Sequence, residues 1–151
     1  MKVIFLDFDG VLNSERYVKN SGQFGVIIDP SRMELLKKIV DATEAKIVLS
    51  TSWREHWDKA SGGCDKIGLQ INEIFGEFGL DIFDKTPELN LRREQQIECW
   101  LAEHPDVDKF VVLDDEFLSA PFMTGHFVKT SGFREGIDEK NAAEAIKVLQ
   151  S

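Results

Sequence analysis

The stretch Val3-Ile4-Phe5-Leu6-Asp7-Phe8-Asp9-Gly10 decides how the rest of this chain is read. Four apolar residues make a short buried strand, and two carboxylates two residues apart follow it. Alternation along a strand sends residues i and i+2 to one side, so Asp7 and Asp9 are expected to share a face. Like charges that close repel unless a cation or a proton neutralises them. Gly10 lets the backbone turn where a Cβ would resist. Buried strand, acid pair and glycine turn together point to a metal-dependent active site. An exposed Asp-Gly hairpin is the competing reading, but it needs a partner strand directly afterwards. Leu12-Asn13-Ser14-Glu15-Arg16 does not supply one.

Outside that stretch, the 151 residues suit one domain spanning 1–151, long enough to bury roughly two thirds of the unfolded surface. The apolar runs are too short for a membrane span, and Asp7 comes too early for a signal-peptide core, so a cytoplasmic protein without export is expected. Cys64 and Cys99 lack CxxC spacing and read as reduced, structural thiols. The net charge of −9 argues against a protein that coats nucleic acid, because such affinity comes from basic side chains on phosphates. A local basic rim from Arg16, Arg54, Lys85 and Arg92-Arg93 is compatible with that charge.

Strands and helices alternate along the chain. Asn13 to Ile28 is polar and glycine-punctuated, and reads as a loop or flap. Asp29-Pro30 opens a helix through about Ala42, with a cap acceptor followed by proline. Lys46 to Ser50 is a second strand, Gln70–Phe78 a helix, and Asp81-Ile82-Phe83 a brief strand. A helix from Arg93 to about His104 carries Ile97, Trp100 and Leu101 on one face. Lys109 to Leu113 and His126 to Lys129 are strands. Asp138 caps a last helix, Glu139 to Gln150, which is expected to bury Ala142, Ala143, Ile146 and Leu149. This order predicts a three-layer α/β/α, Rossmann-like parallel sheet covered on both faces. Ligands in such sheets sit at the carboxyl ends of strands. There the sequence puts Asp7 and Asp9, Ser50-Thr51-Ser52, and Asp114-Asp115. Acids from two strands on one edge make an oxygen-rich cage suited to Mg²⁺, beside which a hydroxyl and a cation, Arg92 or Arg93, suit a phosphoryl group.

Each of these residues also has a plainer use. Ser50, Thr51 and Ser52 suit the cap of a following helix. Trp53 reads as core, with stacking on a base or sugar as its functional alternative. Arg54 either touches substrate or is solvated or ion-paired. His56, His104 and His126 show no ligand spacing and read as structural or surface.

Asp7-Phe8-Asp9-Gly10-Val11-Leu12 resembles the first motif of the haloacid dehalogenase (HAD) superfamily. Val48-Leu49-Ser50-Thr51 resembles its second motif, and Val111-Val112-Leu113-Asp114-Asp115 its fourth. Ser50-Thr51-Ser52-Trp53-Arg54 and Leu113-Asp114-Asp115-Glu116 further resemble a small capless subgroup associated with multidomain RNA-repair proteins. The third motif departs from the pattern: the family usually has Lys, and this chain has Arg92-Arg93. Arg93, at the helix start, is the favoured match, with Arg92 beside it and Lys85 as fallback.

The resemblance implies a HAD-like fold without a cap domain and a Mg²⁺-dependent phosphatase working through an aspartyl phosphate. Asp7 would be the nucleophile and Asp9 the acid and base. Asp7, the Asp9 backbone carbonyl and Asp114 would ligate Mg²⁺, with Asp115 a direct or water-mediated partner. Thr51 and Arg93 would hold phosphoryl oxygens, with Gly10, Ser52 and Arg92 as further substrate contacts. An aspartate at the second position is typical of the family's phosphatases, whereas its dehalogenases lack it. An open site implies a large phosphorylated substrate, such as a nucleic-acid end or nucleotide, or a partner protein that lends a cap. The rivals are a receiver-like phosphoacceptor and a catalytically silent binding module. Receivers carry adjacent acids after the first strand and the acceptor Asp after the third, the reverse of the order here.

Overall fold

The structure, a computed structural model, describes residues 1–61, 65–88 and 90–151. Cys64 lies outside the described residues.

Five parallel strands form one sheet: β1 (Lys2–Leu6), β2 (Lys46–Leu49), β3 (Ile82–Lys85), β4 (Lys109–Asp114) and β5 (Phe127–Lys129), in the order β3-β2-β1-β4-β5. That order differs from the 2-1-3-4-5 order of receiver-type folds. Central β1 explains the unbroken apolar run at the N-terminus: Val3 to Leu6 are fully buried because both faces of the strand are covered. Ile4 and Leu6 join the larger core beneath α2 (Pro30–Thr43), α3 (Lys66–Glu77) and α5 (Glu139–Gln150). Val3 and Phe5 face the opposite way, onto α4 (Arg93–Ala102). Phe5 meets Trp100 edge-on, with ring centroids 5.4 Å apart. The expected α/β/α layering is therefore present.

Helix starts follow their capping residues. Asp29 accepts from Ser31 N at 2.9 Å with Pro30 in the first turn, and Asp138 accepts from Asn141 N at 2.7 Å. α3 begins four residues before Gln70, because Asp65 accepts from Ile67 N and Gly68 N, each at 3.0 Å. In α5 the buried stripe is Ala142, Ala145 and Leu149, so Ala143 faces solvent, contrary to the expectation above.

The segment expected to be a loop or flap contains a two-turn helix, α1 (Glu15–Ser21). It buries no residue, so it has no apolar stripe to betray it. Its signals are local: Ser14 accepts from Tyr17 N, Lys19 pairs with Glu15 at 2.8 Å, and Gly22 ends it at φ 65°. Neither that segment nor the described residues between β2 and α4 add a cap to the sheet.

Candidate active site

The site lies at the carboxyl ends of β1, β2 and β4, where the order of connections reverses. The β1 ladder runs one step past its formal end. Asp7 N donates to Leu113 O at 3.1 Å, and Ser50 N donates to Leu6 O at 3.0 Å. Asp7 is thereby fixed between the ends of β2 and β4.

Arg93, the first residue of α4, reaches across this edge. Its Nη1 donates to Asp7 Oδ2 at 3.1 Å and to Asp114 Oδ2 at 2.8 Å. Asp114 is fully buried, and its other oxygen accepts from Glu116 N at 2.9 Å. Burial pushes the Asp7 carboxyl up to about 7. Asp114 and Asp115 add to the rise, against the opposing pull of Arg93. Burial, then Asp114, also raises Asp115. For Arg93, burial pulls downward, but Asp7 and Asp114 outweigh it and the guanidinium pKa rises.

Asp7, Asp114 and Asp115 each offer a carboxylate oxygen within 4.8 Å of the others. Three carboxylates share this edge with one guanidinium, so acidic groups outnumber the cation, and the donors are all hard oxygens. Both features fit a divalent cation such as Mg²⁺.

Asp9 is not in this cluster. Its Oδ1 accepts from Asn13 Nδ2 at 3.0 Å, and its Oδ2 accepts from the Trp53 indole N–H at 2.9 Å. Of the two acids that follow β1, Asp7 alone joins the cluster, while the Asp9 carboxylate is taken up by Asn13 and Trp53. β1 ends at Leu6, and by Phe8 the backbone has begun a turn, with Val11 N and Leu12 N both donating to Phe8 O. Strand alternation does not reach Asp9.

Gly10 sits in that turn at φ 81°, and a Cβ there would lie 2.5 Å from Asp115 Cγ. Its N–H donates to Asn13 Oδ1 at 2.9 Å, and its carbonyl accepts from the Thr130 hydroxyl at 2.6 Å. Asn13 and Thr130, both buried, went unnoticed in the sequence because lone polar residues in loops carry no pattern.

The remaining candidates fall into place around this centre. The Thr51 hydroxyl accepts from Trp53 N at 3.3 Å, capping a 3₁₀ turn over Ser52–His56, as the plainer reading had it. Among the described residues the buried Ser50 hydroxyl has no partner, and Ser52 is exposed. Trp53 is half-buried against the core, and its N–H serves Asp9. Arg54 is buried and spans from the 3₁₀ turn to the β3–α4 connection. It donates to Thr51 O, Thr86 O and Pro87 O, so its guanidinium is tied to backbone carbonyls rather than solvated. Lys85 donates to Arg54 O, Trp57 O and Glu88, away from Asp7. Arg92 is exposed at the α4 cap, leaving Arg93 as the cation that touches the acids.

The family model for the HAD domain in Swiss Army Knife RNA repair proteins matches residues 3–142. The chain belongs to this family. The matched span takes in the three strand ends described above, and the family suggests phosphatase-type chemistry. No significant match was found among curated proteins or among solved structures. Among the described residues, no helix of this HAD domain is long and apolar enough to cross a membrane.

Proposed function

We propose that this HAD domain is a Mg²⁺-dependent phosphomonoesterase that works through an aspartyl phosphate on Asp7. The observation that carries the reading is the contact set at Asp7: a buried carboxylate held by Arg93 beside the Asp114 and Asp115 carboxylates. Asp7, Asp114, Asp115 and the Asp9 backbone carbonyl would hold Mg²⁺, which supplies charge neutralisation for the transferring group. An Asp7 oxygen forms the new bond to phosphorus while the ester P–O bond breaks. Asp9 gives its proton to the departing alkoxide. It then takes a proton from the water that attacks phosphorus, which frees inorganic phosphate and restores the Asp7 carboxylate. Arg93 offers phosphoryl oxygens a planar set of N–H donors. Thr51 accepts its bond from Trp53 N and keeps a proton to donate, and the unpartnered Ser50 hydroxyl lies one residue before it. Ser52, Arg92 and the backbone at Gly10 complete the substrate contacts.

We further propose a phosphorylated nucleic-acid end or nucleotide as substrate. Two exposed phenyl groups border the acids and support this. Phe117, 81% exposed, follows Asp115 by two residues, and Phe133 follows Gly132, where a Cβ would lie 3.5 Å from Asp115 Oδ2. Exposed aromatic rings suit stacking on unpaired bases. Arg92 and Arg134 are near in sequence to supply positive charge. The site's openness also suits a partner protein that covers it.

The test is phosphate release, with and without Mg²⁺, from a small aryl phosphate and from 3′- and 5′-phosphorylated oligonucleotides. Asp7→Asn and chelation are each expected to lower release by roughly three orders of magnitude or more. Preference for an oligonucleotide would support the nucleic-acid reading. A folded wild type that releases phosphate from none of them overturns the proposal.

A further inference from the structure

The Asp9 carboxylate lies outside the Asp7–Asp114–Asp115 cluster, yet both of its oxygens are bound. Trp53 Nε1 donates to Oδ2 at 2.9 Å and Asn13 Nδ2 to Oδ1 at 3.0 Å. Both donors are anchored from behind. Asn13 is buried, donates also to Ile27 O at 2.8 Å, and accepts from Gly10 N. Trp53 is the second residue of the 3₁₀ turn, which the buried Arg54 ties to Thr51 O, Thr86 O and Pro87 O. Two neutral, non-titrating donors from separate loops therefore fix the carboxylate's rotamer. Each carboxylate oxygen still has a lone-pair site left for a proton.

From this we infer that Trp53 and Asn13 are positioning residues for the proton transfer carried out by Asp9, Trp53 acting through its indole N–H. The inference rests on the phosphatase reading above. A half-buried indole needs an acceptor in any case, but a purely structural bond would be indifferent to how basic the leaving oxygen is. A positioned acid is not indifferent: an alkoxide needs a proton to leave, and a nitrophenolate does not.

The experiment compares kcat/KM, which covers the steps through release of the alcohol, for p-nitrophenyl phosphate and for glycerol 2-phosphate. Trp53→Phe keeps the ring and removes the N–H. It is expected to lower kcat/KM about ten- to a hundredfold for the alkyl ester and less than threefold for the aryl ester. Asn13→Ala should show the same asymmetry. Asp9→Asn should show it more strongly, and Trp53→Phe added to Asp9→Asn should cost nothing more. Equal losses on both esters, additive losses in the double variant, or faster alkyl turnover in Trp53→Phe would each overturn the inference while the phosphatase reading stands. A wild type that hydrolyses neither of these esters nor a phosphorylated oligonucleotide removes both together. The indole N–H resonance of Trp53 gives a readout apart from turnover. It should move in Asp9→Asn and stay in Asp7→Asn, and the reverse pattern would overturn the pairing.

Discussion

Asp7 and Asp9 leave the same strand end two residues apart, and their surroundings are opposite. Asp7 is packed among Arg93, Asp114 and Asp115, and burial among those acids raises its carboxyl to about 7. Asp9 stands between an indole N–H and a side-chain amide, both neutral. One half of the site is thus set up by charge and the other by neutral hydrogen bonds. The division suits two different tasks: a nucleophile crowded by buried acids needs a cation to hold it as the anion, which Mg²⁺ would supply, whereas an acid-base group must gain and lose a proton in place.

Arg93 is the sharpest place to break the charged half. Arg93→Ala removes the guanidinium that bridges Asp7 and Asp114, and kcat/KM is expected to fall about a hundred- to a thousandfold. Unlike the Trp53 variant, it should lower aryl and alkyl esters alike, because phosphoryl stabilisation does not depend on the leaving group. Arg93→Lys should recover part of this, as a point charge without the planar fork. An Arg93→Ala loss confined to alkyl esters would erase the distinction between the halves.

Gly10 joins them. Its N–H binds Asn13 on the neutral side, and its missing Cβ leaves room for Asp115 on the charged side. Gly10→Ala would force a side chain into φ 81° and place its Cβ 2.5 Å from Asp115 Cγ. The expected cost is about 1–3 kcal/mol of stability, read by denaturant unfolding, with loss of turnover on both esters. Stability close to wild type would mean that the turn can re-form without Gly10.

The two halves were not equally legible in the sequence. Periodicity and caps located the strands, α2, α4 and α5, because burial on both faces of β1 and one face of each of these helices leaves an apolar pattern. The acids at the ends of β1 and β4 were visible as carboxylates next to such patterns. Arg93 was legible as a cation at a helix start, where it gains nothing from the dipole. The neutral half was hidden. Alternation could not say where β1 stops, so the separate partners of the Asp9 carboxylate were out of sight. α1 has no buried face, Asn13 acts within an irregular turn that has no periodicity, and Thr130 and the Trp53 N–H act across segments far apart in sequence.

The smallest effect tests the division without catalysis. If the cation belongs to the charged half, Mg²⁺ at ten times its Kd should stabilise the protein by about 1.4 kcal/mol, a Tm rise of roughly 3–5 °C for a chain of this size. Asp114→Asn removes a cluster carboxylate and should abolish most of that rise. Asp9→Asn should retain it, because the Asp9 side chain is turned to Trp53 and Asn13, and the proposed ligand is its backbone carbonyl. Only the Mg²⁺-dependent increment counts, since either substitution can shift Tm by itself. An increment lost as fully in Asp9→Asn as in Asp114→Asn would put the Asp9 carboxylate on the ion. The Trp53 and Asn13 bonds would then describe only the metal-free site, and Asp9 would be a ligand first and a proton carrier second.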